Sequence, residues 1–209
     1  MKQRNIKGAT LFNPRIRFTS IKNHATFQCD SRWECDLLID LEFDSSVKQY
    51  ATQPISFTYE YKGKKRRYTS DIALIRQDGK IEHIEVKDAK YAGSPALRDK
   101  ISHLSHLLQT HQNSSLTLVT SDDIHSDPAH ETRHILYKYM SIKVSDALKK
   151  MAIRALYKSD MSIHALETRF IQKGADKTIV WAFLAQHYSS ISFGGNPAIS
   201  SHTIISWSK

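Results

Sequence analysis

The chain has 209 residues, 40% of them hydrophobic, and carries a formal net charge of +9 at pH 7. Its length can hold one α/β core and a small second domain, and its basic balance predicts an anionic partner. It contains no apolar stretch of membrane-spanning length and no signal peptide, so we expect a soluble cytoplasmic protein and exclude a membrane protein.

The cysteine content points to the same compartment. Cys29 and Cys35 are the only two cysteines, and they are neither spaced as a Cys-X-X-Cys pair nor matched by a second cluster. This pattern disfavours a zinc site. The eleven histidines are also spread without metal-binding spacing, although His83 could border a site built around Glu85, because the two share a strand face.

The first predicted feature is a basic segment over residues 1–25, with few apolar runs, which we interpret as a flexible phosphate-binding arm. A helix follows over residues 31–42. Leucines lie three, four and seven positions beyond Glu34, so this carboxylate falls on the apolar stripe of the helix, where a charge needs a metal ion or Lys87 to compensate it. Ser31 as N-cap offers a structural alternative, since Glu34 then completes a capping box.

Two hairpins come next. Residues 56–61 and 66–75 alternate as strands around a turn at 62–64, and a second turn at 77–80 leads to a strand over 81–87. Asp71 lies where the basic first hairpin becomes apolar. A run of basic residues precedes it and could hold DNA phosphates, or could be a solvated turn. The run consists of Lys62, Lys64, Lys65, Arg66 and Arg67.

The last strand of this pair carries the sequence Glu85-Val86-Lys87. Side chains alternate along a strand, so Glu85 and Lys87 share a face, while Val86 points to the opposite layer and leaves its carbonyl near the edge. With Asp71 on the neighbouring strand, two carboxylates and one backbone oxygen can meet. Such hard ligands select Mg²⁺, with Mn²⁺ as a substitute, and Lys87 would orient a water or neutralise developing charge.

Further elements indicate a mixed sheet flanked by helices. A helix is predicted over 95–111, a strand over 116–120 and a helix over 128–139. Beyond residue 144, helices over 147–157, 162–171 and 177–187 precede a closing hairpin, which is the order of a winged helix-turn-helix domain. We therefore predict a first domain over 1–143 and a winged domain over 144–209, whose strongly apolar third helix could dock protein as readily as DNA.

In this order, the motifs resemble the TnsA endonucleases, a branch of the PD-(D/E)XK nucleases found in bacterial cut-and-paste transposons. The resemblance covers residues 27–88 well and the rest in outline. It implies a restriction-endonuclease-like fold in which Asp71 and Glu85 hold metal, Glu34 completes the site and Lys87 is catalytic. The matching residues are Glu34, Phe43-Asp44, Gln53-Pro54, Arg67-Tyr68-Thr69-Ser70-Asp71 and Glu85-Val86-Lys87.

The resemblance also implies partners. A nuclease of this family cuts the 5′ ends of a transposon, while a transposase, TnsB, cuts and joins the 3′ ends and an ATPase, TnsC, couples the pair to target selection. Two other interpretations stay open from the sequence. The chain could be a free-standing phage or restriction nuclease with the same core, or a nonenzymatic DNA-binding assembly subunit whose acidic residues are structural.

Overall fold

A computed structural model describes residues 16–54, 56–194 and 198–208. The chain divides into two compact units, the first ending at His125 and the second beginning at Ser126. Most of the predicted basic arm lies outside the described residues. Its last part is not an arm, because residues 16–20 form a strand that pairs with Ala25–Cys29. That part of the prediction was wrong.

The first unit contains eight strands and four helices within the described residues. Its helix α1 has the start that the sequence predicted, since Ser31 caps it. The elements are β1 Ile16–Ser20, β2 Ala25–Cys29, α1 Arg32–Phe43, β3 Val47–Thr52, β4 Phe57–Tyr61, β5 Lys64–Tyr68, β6 Ile72–Arg76, β7 Ile81–Lys87, α2 Ala89–Ala92, α3 Pro95–Gln112, β8 Ser115–Thr120 and α4 Ser121–Ser126.

A four-stranded mixed sheet forms the centre of this unit, in the order β3-β6-β7-β8. Strands β3 and β7 run antiparallel to β6, whereas β8 runs parallel to β7. Ile72 pairs with Ile84 in the β6–β7 ladder, so the next position outward sets Asp71 opposite Glu85. The sheet register therefore brings together the two acidic residues that the sequence singled out.

The strand predicted over 66–75 is two strands. Strand β5 pairs with β4 in a separate two-stranded sheet, and β6 belongs to the central sheet. Asp71 lies in the short connection between them, directly before β6. The first hairpin turns tightly because Lys62 and Gly63 both have positive φ, at 52° and 69°, which is the geometry of a two-residue hairpin turn whose twist matches that of the strands.

Apolar packing holds the β4–β5 hairpin against helix α3. Tyr59 and Tyr68 of the hairpin form one buried cluster with Leu104 and Leu108 of the helix and Leu116 of β8. Burying a side chain of this size stabilises a fold by about 1.5–3 kcal/mol. The cluster thus fixes the hairpin over the sheet, on the side where β5 leads towards Asp71.

The second unit contains helices and a small antiparallel sheet of strand order β10-β11-β9. Ser162 caps the helix that the sequence predicted over 162–171, and the closing strands pair as a hairpin. The elements are α5 His130–Tyr137, α6 Asp146–Lys158, β9 Met161–Ser162, α7 Ile163–Gln172, α8 Thr178–Gln186, β10 Ile191–Ser192 and β11 Ile204–Trp207.

Helix α8 does not offer the exposed apolar face that the sequence suggested. Val180 and Leu184 are fully buried. Trp181 is half-buried, its Nε1 donates to Glu167 over 3.0 Å, and its ring lies 5.9 Å from that of Tyr139. A helix that is apolar on every side belongs inside a core. The expectation that this strongly apolar helix is free to dock a partner was wrong.

The division between the units precedes α5, because α5 packs against α8. The domain boundary that the sequence suggested at 143–144 stays a prediction. None of the helices in the described residues combines the length and apolar character needed to cross a bilayer.

Candidate metal and catalytic site

Asp71, Glu85 and Lys87 meet at one edge of the central sheet. The Lys87 ammonium lies 3.1 Å from Glu85 Oε1 and 3.6 Å from Asp71 Oδ2. The Glu85 side chain is only 7% exposed, and those of Asp71 and Lys87 are 21% and 34% exposed. The site is therefore a partly enclosed group of two carboxylates and one cation that solvent reaches mainly through Lys87 and Asp71.

Asp71 is held by backbone on both of its neighbouring strands. Its Oδ2 accepts a hydrogen bond from the Val86 N–H over 2.8 Å, and its carbonyl accepts one from the Gln53 N–H over 2.7 Å. Burial and the nearby Glu85 charge raise the pKa of Asp71 to about 6, although Lys87 and the Val86 N–H act to lower it. A further positive charge nearby, such as a metal ion, would stabilise the ionised form of this carboxyl group.

Tyr68 orients Glu85. Its hydroxyl donates to Glu85 Oε2 over 2.8 Å, leaving Oε1 to face Lys87. Burial and the Glu85 charge raise the pKa of Tyr68, so it stays a donor. The sequence analysis noted Tyr68 within a motif but assigned it no role. Tyr68 is the one large aromatic residue in an otherwise basic strand, and this contrast could have indicated that it is buried. It is the only buried residue of β5.

Glu34 has a capping role that the sequence raised as an alternative. Its Oε1 accepts from Ser31 Oγ over 2.8 Å and its Oε2 from the Asp30 N–H over 3.0 Å, while its own N–H donates to Ser31 Oγ. In the described residues it makes no direct contact with Glu85 or Lys87. Burial and the Asp71 charge nevertheless raise the pKa of Glu34 to about 7, which links it electrostatically to the site.

Gln53 adds a neighbour that the sequence named without a role. Its Nε2 donates to Asp30 Oδ2 over 2.5 Å, and its backbone has a positive φ of 43°. A non-glycine residue in this conformation is uncommon, and such strain costs about 1–3 kcal/mol. The conformation directs the Gln53 side chain to Asp30 while its N–H holds Asp71, so the end of β3 is shaped around the acidic residues.

His83 contacts Ser70, the residue directly before Asp71. It lies on the same strand face as Glu85, and its Nδ1 is 2.9 Å from Ser70 Oγ. Burial lowers the pKa of His83, so it is neutral at pH 7. Its Nε2 is buried and has no hydrogen-bond partner within the described residues. The side chain therefore adds a neutral polar group beside the carboxylates, not another charge.

The basic run is exposed but does not form one surface. Directly paired residues share a face, so Lys65 and Arg67 lie with Glu60 and Thr58. The other face carries the aromatic residues, where the Arg66 guanidinium lies over the Tyr61 ring at 5.6 Å. At the turn, the Lys62 ammonium forms an ion pair of 2.8 Å with Asp99. The five cations that the sequence grouped are therefore Lys65 and Arg67 on one face, Lys64 and Arg66 on the other, and Lys62 in an ion pair.

Charge around the site is unbalanced. Burial alone would lower the pKa of Lys87, yet Asp71 and Glu85 raise it above its ordinary value, so Lys87 is charged. It is the one cation that contacts these two carboxylates within the described residues.

Comparison of the chain with protein-family models and with curated proteins found no match.

Proposed function

We propose that the chain is a Mg²⁺-dependent DNA endonuclease of the TnsA type, acting within a transposition complex. The observation that carries this proposal is the meeting of Asp71, Glu85 and Lys87 at one sheet edge, with Glu85 fixed by Tyr68 and Asp71 by the Val86 N–H. Their types, spacing and order are those that the resemblance requires.

The residues fit a hard divalent ion. Asp71 and Glu85 offer carboxylate oxygens, the ligands that Mg²⁺ and Mn²⁺ prefer, and the Val86 carbonyl is the third ligand that the alternation of side chains along the strand predicts. Burial, and after it the charge of a neighbouring carboxylate, raises the pKa of both Asp71 and Glu34, so a bound cation would favour their ionised forms. When bound, the ion would activate a water and stabilise the charge that develops on the phosphodiester.

The remaining chemistry belongs to the chain's own side chains. Lys87 reaches both carboxylates and is more exposed than either, so its ammonium can turn towards an attacking water or a phosphate oxygen. Tyr68 keeps one oxygen of Glu85 occupied, which leaves Oε1 to face the site. Glu34, whose oxygens serve as helix caps, contributes negative potential and shapes the helix end beside Asp71.

Both units support this interpretation. The mixed sheet with its helices is the coarse architecture expected of a restriction-endonuclease-like fold. In the second unit, α6, the short strand β9, α7 and α8 precede the hairpin of β10 and β11, and this order supports a winged-helix domain. We take transposon-end DNA as substrate, with a transposase of the TnsB kind and an ATPase of the TnsC kind as partners.

One observation favours the nonenzymatic alternative in part. The hydrogen bonds of Glu34 to Ser31 and Asp30 give that acid a structural function. They do not extend to Asp71 and Glu85, whose side chains converge from different strands on Lys87. A structural role alone does not explain why the sheet edge places Asp71, whose pKa is raised by burial and by the Glu85 charge, beside the buried carboxylate of Glu85 and the Lys87 ammonium.

Cleavage assays separate the three interpretations. Purified protein is incubated with DNA carrying the ends of the transposon, in Mg²⁺ or in EDTA, with and without the transposase and ATPase. The proposal predicts Mg²⁺-dependent cuts at the 5′ ends that require or strongly increase with the transposase. Cutting that ignores the transposase and the end sequence would indicate a free-standing nuclease. Binding without cutting under all conditions would indicate an assembly subunit.

A further inference from the structure

A basic groove lies on the second unit, on a surface that the sequence analysis did not consider. It has a volume of about 390 Å³ and is formed by helices α6 and α7. Half-buried Met151 and buried Ala155 form its apolar floor, exposed Ala147 also lines it, and four cations complete the lining. These are Lys150, Arg154, Lys158 and Arg169.

The three cations on α6 form a regular row. Lys150, Arg154 and Lys158 are spaced at i, i+4 and i+8, so they follow one face of the helix. With a rise of 1.5 Å per residue, their backbones are about 6 Å apart, and the row is about 12 Å long. Arg169 joins it from the neighbouring helix α7.

Carboxylates do not neutralise this groove. All four cations are exposed, and none of them forms an ion pair within the described residues. The only acidic residue of α6 is Asp146 in the first turn, which lies 3.8 Å from Lys149 outside the groove. The acidic residue of α7, Glu167, is buried and hydrogen-bonded to Trp181. Four exposed like charges side by side without counterions create a local positive potential that favours an anionic partner.

DNA backbone fits this groove better than an acidic protein does. Duplex DNA presents one phosphate per about 3.4 Å of axis on each strand, so a row about 12 Å long can face three or four phosphates. An apolar floor between long basic side chains lets their stems pack while the charged ends reach outward. The buried helix α8 is not available for this contact, since Val180 and Leu184 lie inside the unit.

We propose that the α6–α7 groove binds the phosphate backbone of DNA without reading sequence. Lys150, Arg154, Lys158 and Arg169 each contact a phosphate, so the second unit holds DNA by α6 and α7 and not by α8. This inference rests on the proposed function in taking DNA as the partner. It does not depend on the chemistry of the Asp71 site.

Binding of the full-length chain to a fluorescent random-sequence duplex in EDTA tests the groove. EDTA removes cleavage from the measurement, so a failed nuclease proposal and a failed groove proposal give different results. The test variant carries Lys150→Gln, Arg154→Gln, Lys158→Gln and Arg169→Gln. The control variant removes the same charge from the same unit outside the groove, through Lys138→Gln, Lys143→Gln, Lys173→Gln and Lys177→Gln, all at exposed positions.

Each phosphate contact contributes about 0.9 to the slope of log affinity against log salt, so losing four should reduce that slope by about 3.6. We expect the groove variant to show this reduction and at least a tenfold loss of affinity, whereas the control changes the slope by less than about 1. Equal slopes for the two variants would overturn the proposal. Binding to polyglutamate is measured in the same way. If the groove variant bound DNA normally but lost binding to polyglutamate, the proposal would also be overturned, and the groove would be assigned to an acidic protein.

Discussion

The backbone N–H of Val86 donates a hydrogen bond to Asp71 Oδ2 over 2.8 Å. This bond joins the end of β7 to the residue that directly precedes β6. This contact ties the position of Asp71 to the strand that carries Glu85 and Lys87. Because the backbone supplies the donor, side-chain substitutions at 86 leave it in place. The arrangement of the carboxylates is thus a property of sheet register, and single substitutions of their side chains test chemistry without dismantling the fold.

Replacing Lys87 should separate chemistry from metal binding. Lys87→Met removes the cation that lies within 3.1 Å of Glu85 while keeping most of the side-chain volume. Loss of one positively charged group aimed at developing charge costs about 10²–10³ in rate, and we expect cleavage to fall by this amount while calorimetry still detects Mn²⁺ binding. Lys90→Met, at an exposed position beyond the strand, is the control and should cut normally. Normal cutting by Lys87→Met would exclude the role given to Lys87.

Tyr68 should matter for rate through Glu85. Tyr68→Phe removes the donor to Glu85 Oε2 and leaves the buried ring. Loss of a hydrogen bond that orients a metal ligand typically costs about 10–100-fold in metal affinity or activity, and we expect a reduction in this range in Mg²⁺ titrations of cleavage. Tyr61→Phe is a matched control, because Tyr61 lies on the same hairpin as Tyr68 and its hydroxyl donates to exposed Asp99 of α3, away from Glu85. Similar effects of both substitutions would point to damage to the hairpin and not to the site.

The raised pKa values predict how pH and metal act on stability. The pKa of Asp71 is about 6 and that of Glu34 about 7 in the folded chain, above their ordinary values of 3.8 and 4.5. The folded state therefore holds these protons more tightly than the unfolded state, and the metal-free chain loses stability as pH rises from about 4 to 7, by about 1.4 kcal/mol per unit of pKa shift.

A divalent ion competes with those protons. We expect Mg²⁺ or Mn²⁺ to raise the melting temperature more at pH 8 than at pH 5, as measured by scanning calorimetry. In Asp71→Asn the extra stabilisation at pH 8 should largely disappear. An equal rise in melting temperature at both pH values in the unsubstituted chain would mean that these carboxylates do not hold the ion.

The two faces of the basic hairpin should contribute unequally to DNA binding. Arg66 shares its face with the aromatic residues that pack towards α3, whereas Lys65 and Arg67 lie on the opposite face. Lys65→Gln with Arg67→Gln should reduce the salt slope of DNA binding by about 2, at about 0.9 per contact. Lys64→Gln with Arg66→Gln should reduce it by less than about 1. An unchanged slope in both double variants would make the run a solvated hairpin only.

Local patterns in the sequence predicted much of the fold around the site. The spacing of leucines after Glu34 and the cap at Ser31 located α1, and the turn residues at 62–64 and 77–80 located the hairpins. These features depend on neighbouring residues, which a sequence displays directly. The pairing of Asp71 with Glu85 followed from the second turn, because a short hairpin fixes register.

Features that depend on distant contacts were not predictable in the same way. The chain leaves one sheet at Tyr68 and enters another at Ile72. The residues on both sides have the pattern of a strand, so the sequence shows no break between them. The hydrogen bond from Tyr68 to Glu85 needs that change of sheet. The burial of α8 was an error of interpretation, since its all-round apolar character is typical of a core helix and not of a docking surface.

The most direct test of the account compares three alanine substitutions in one cleavage assay. Asp71→Ala and Glu85→Ala each remove one carboxylate from the site, while Asp78→Ala removes an exposed carboxylate from the adjacent turn. With the transposase present and Mg²⁺ added, we expect the first two variants to lose cleavage of transposon ends below detection while keeping DNA binding in EDTA, and Asp78→Ala to cut at the unsubstituted rate. Cutting at the unsubstituted rate by Asp71→Ala or Glu85→Ala would contradict the assignment of the active site.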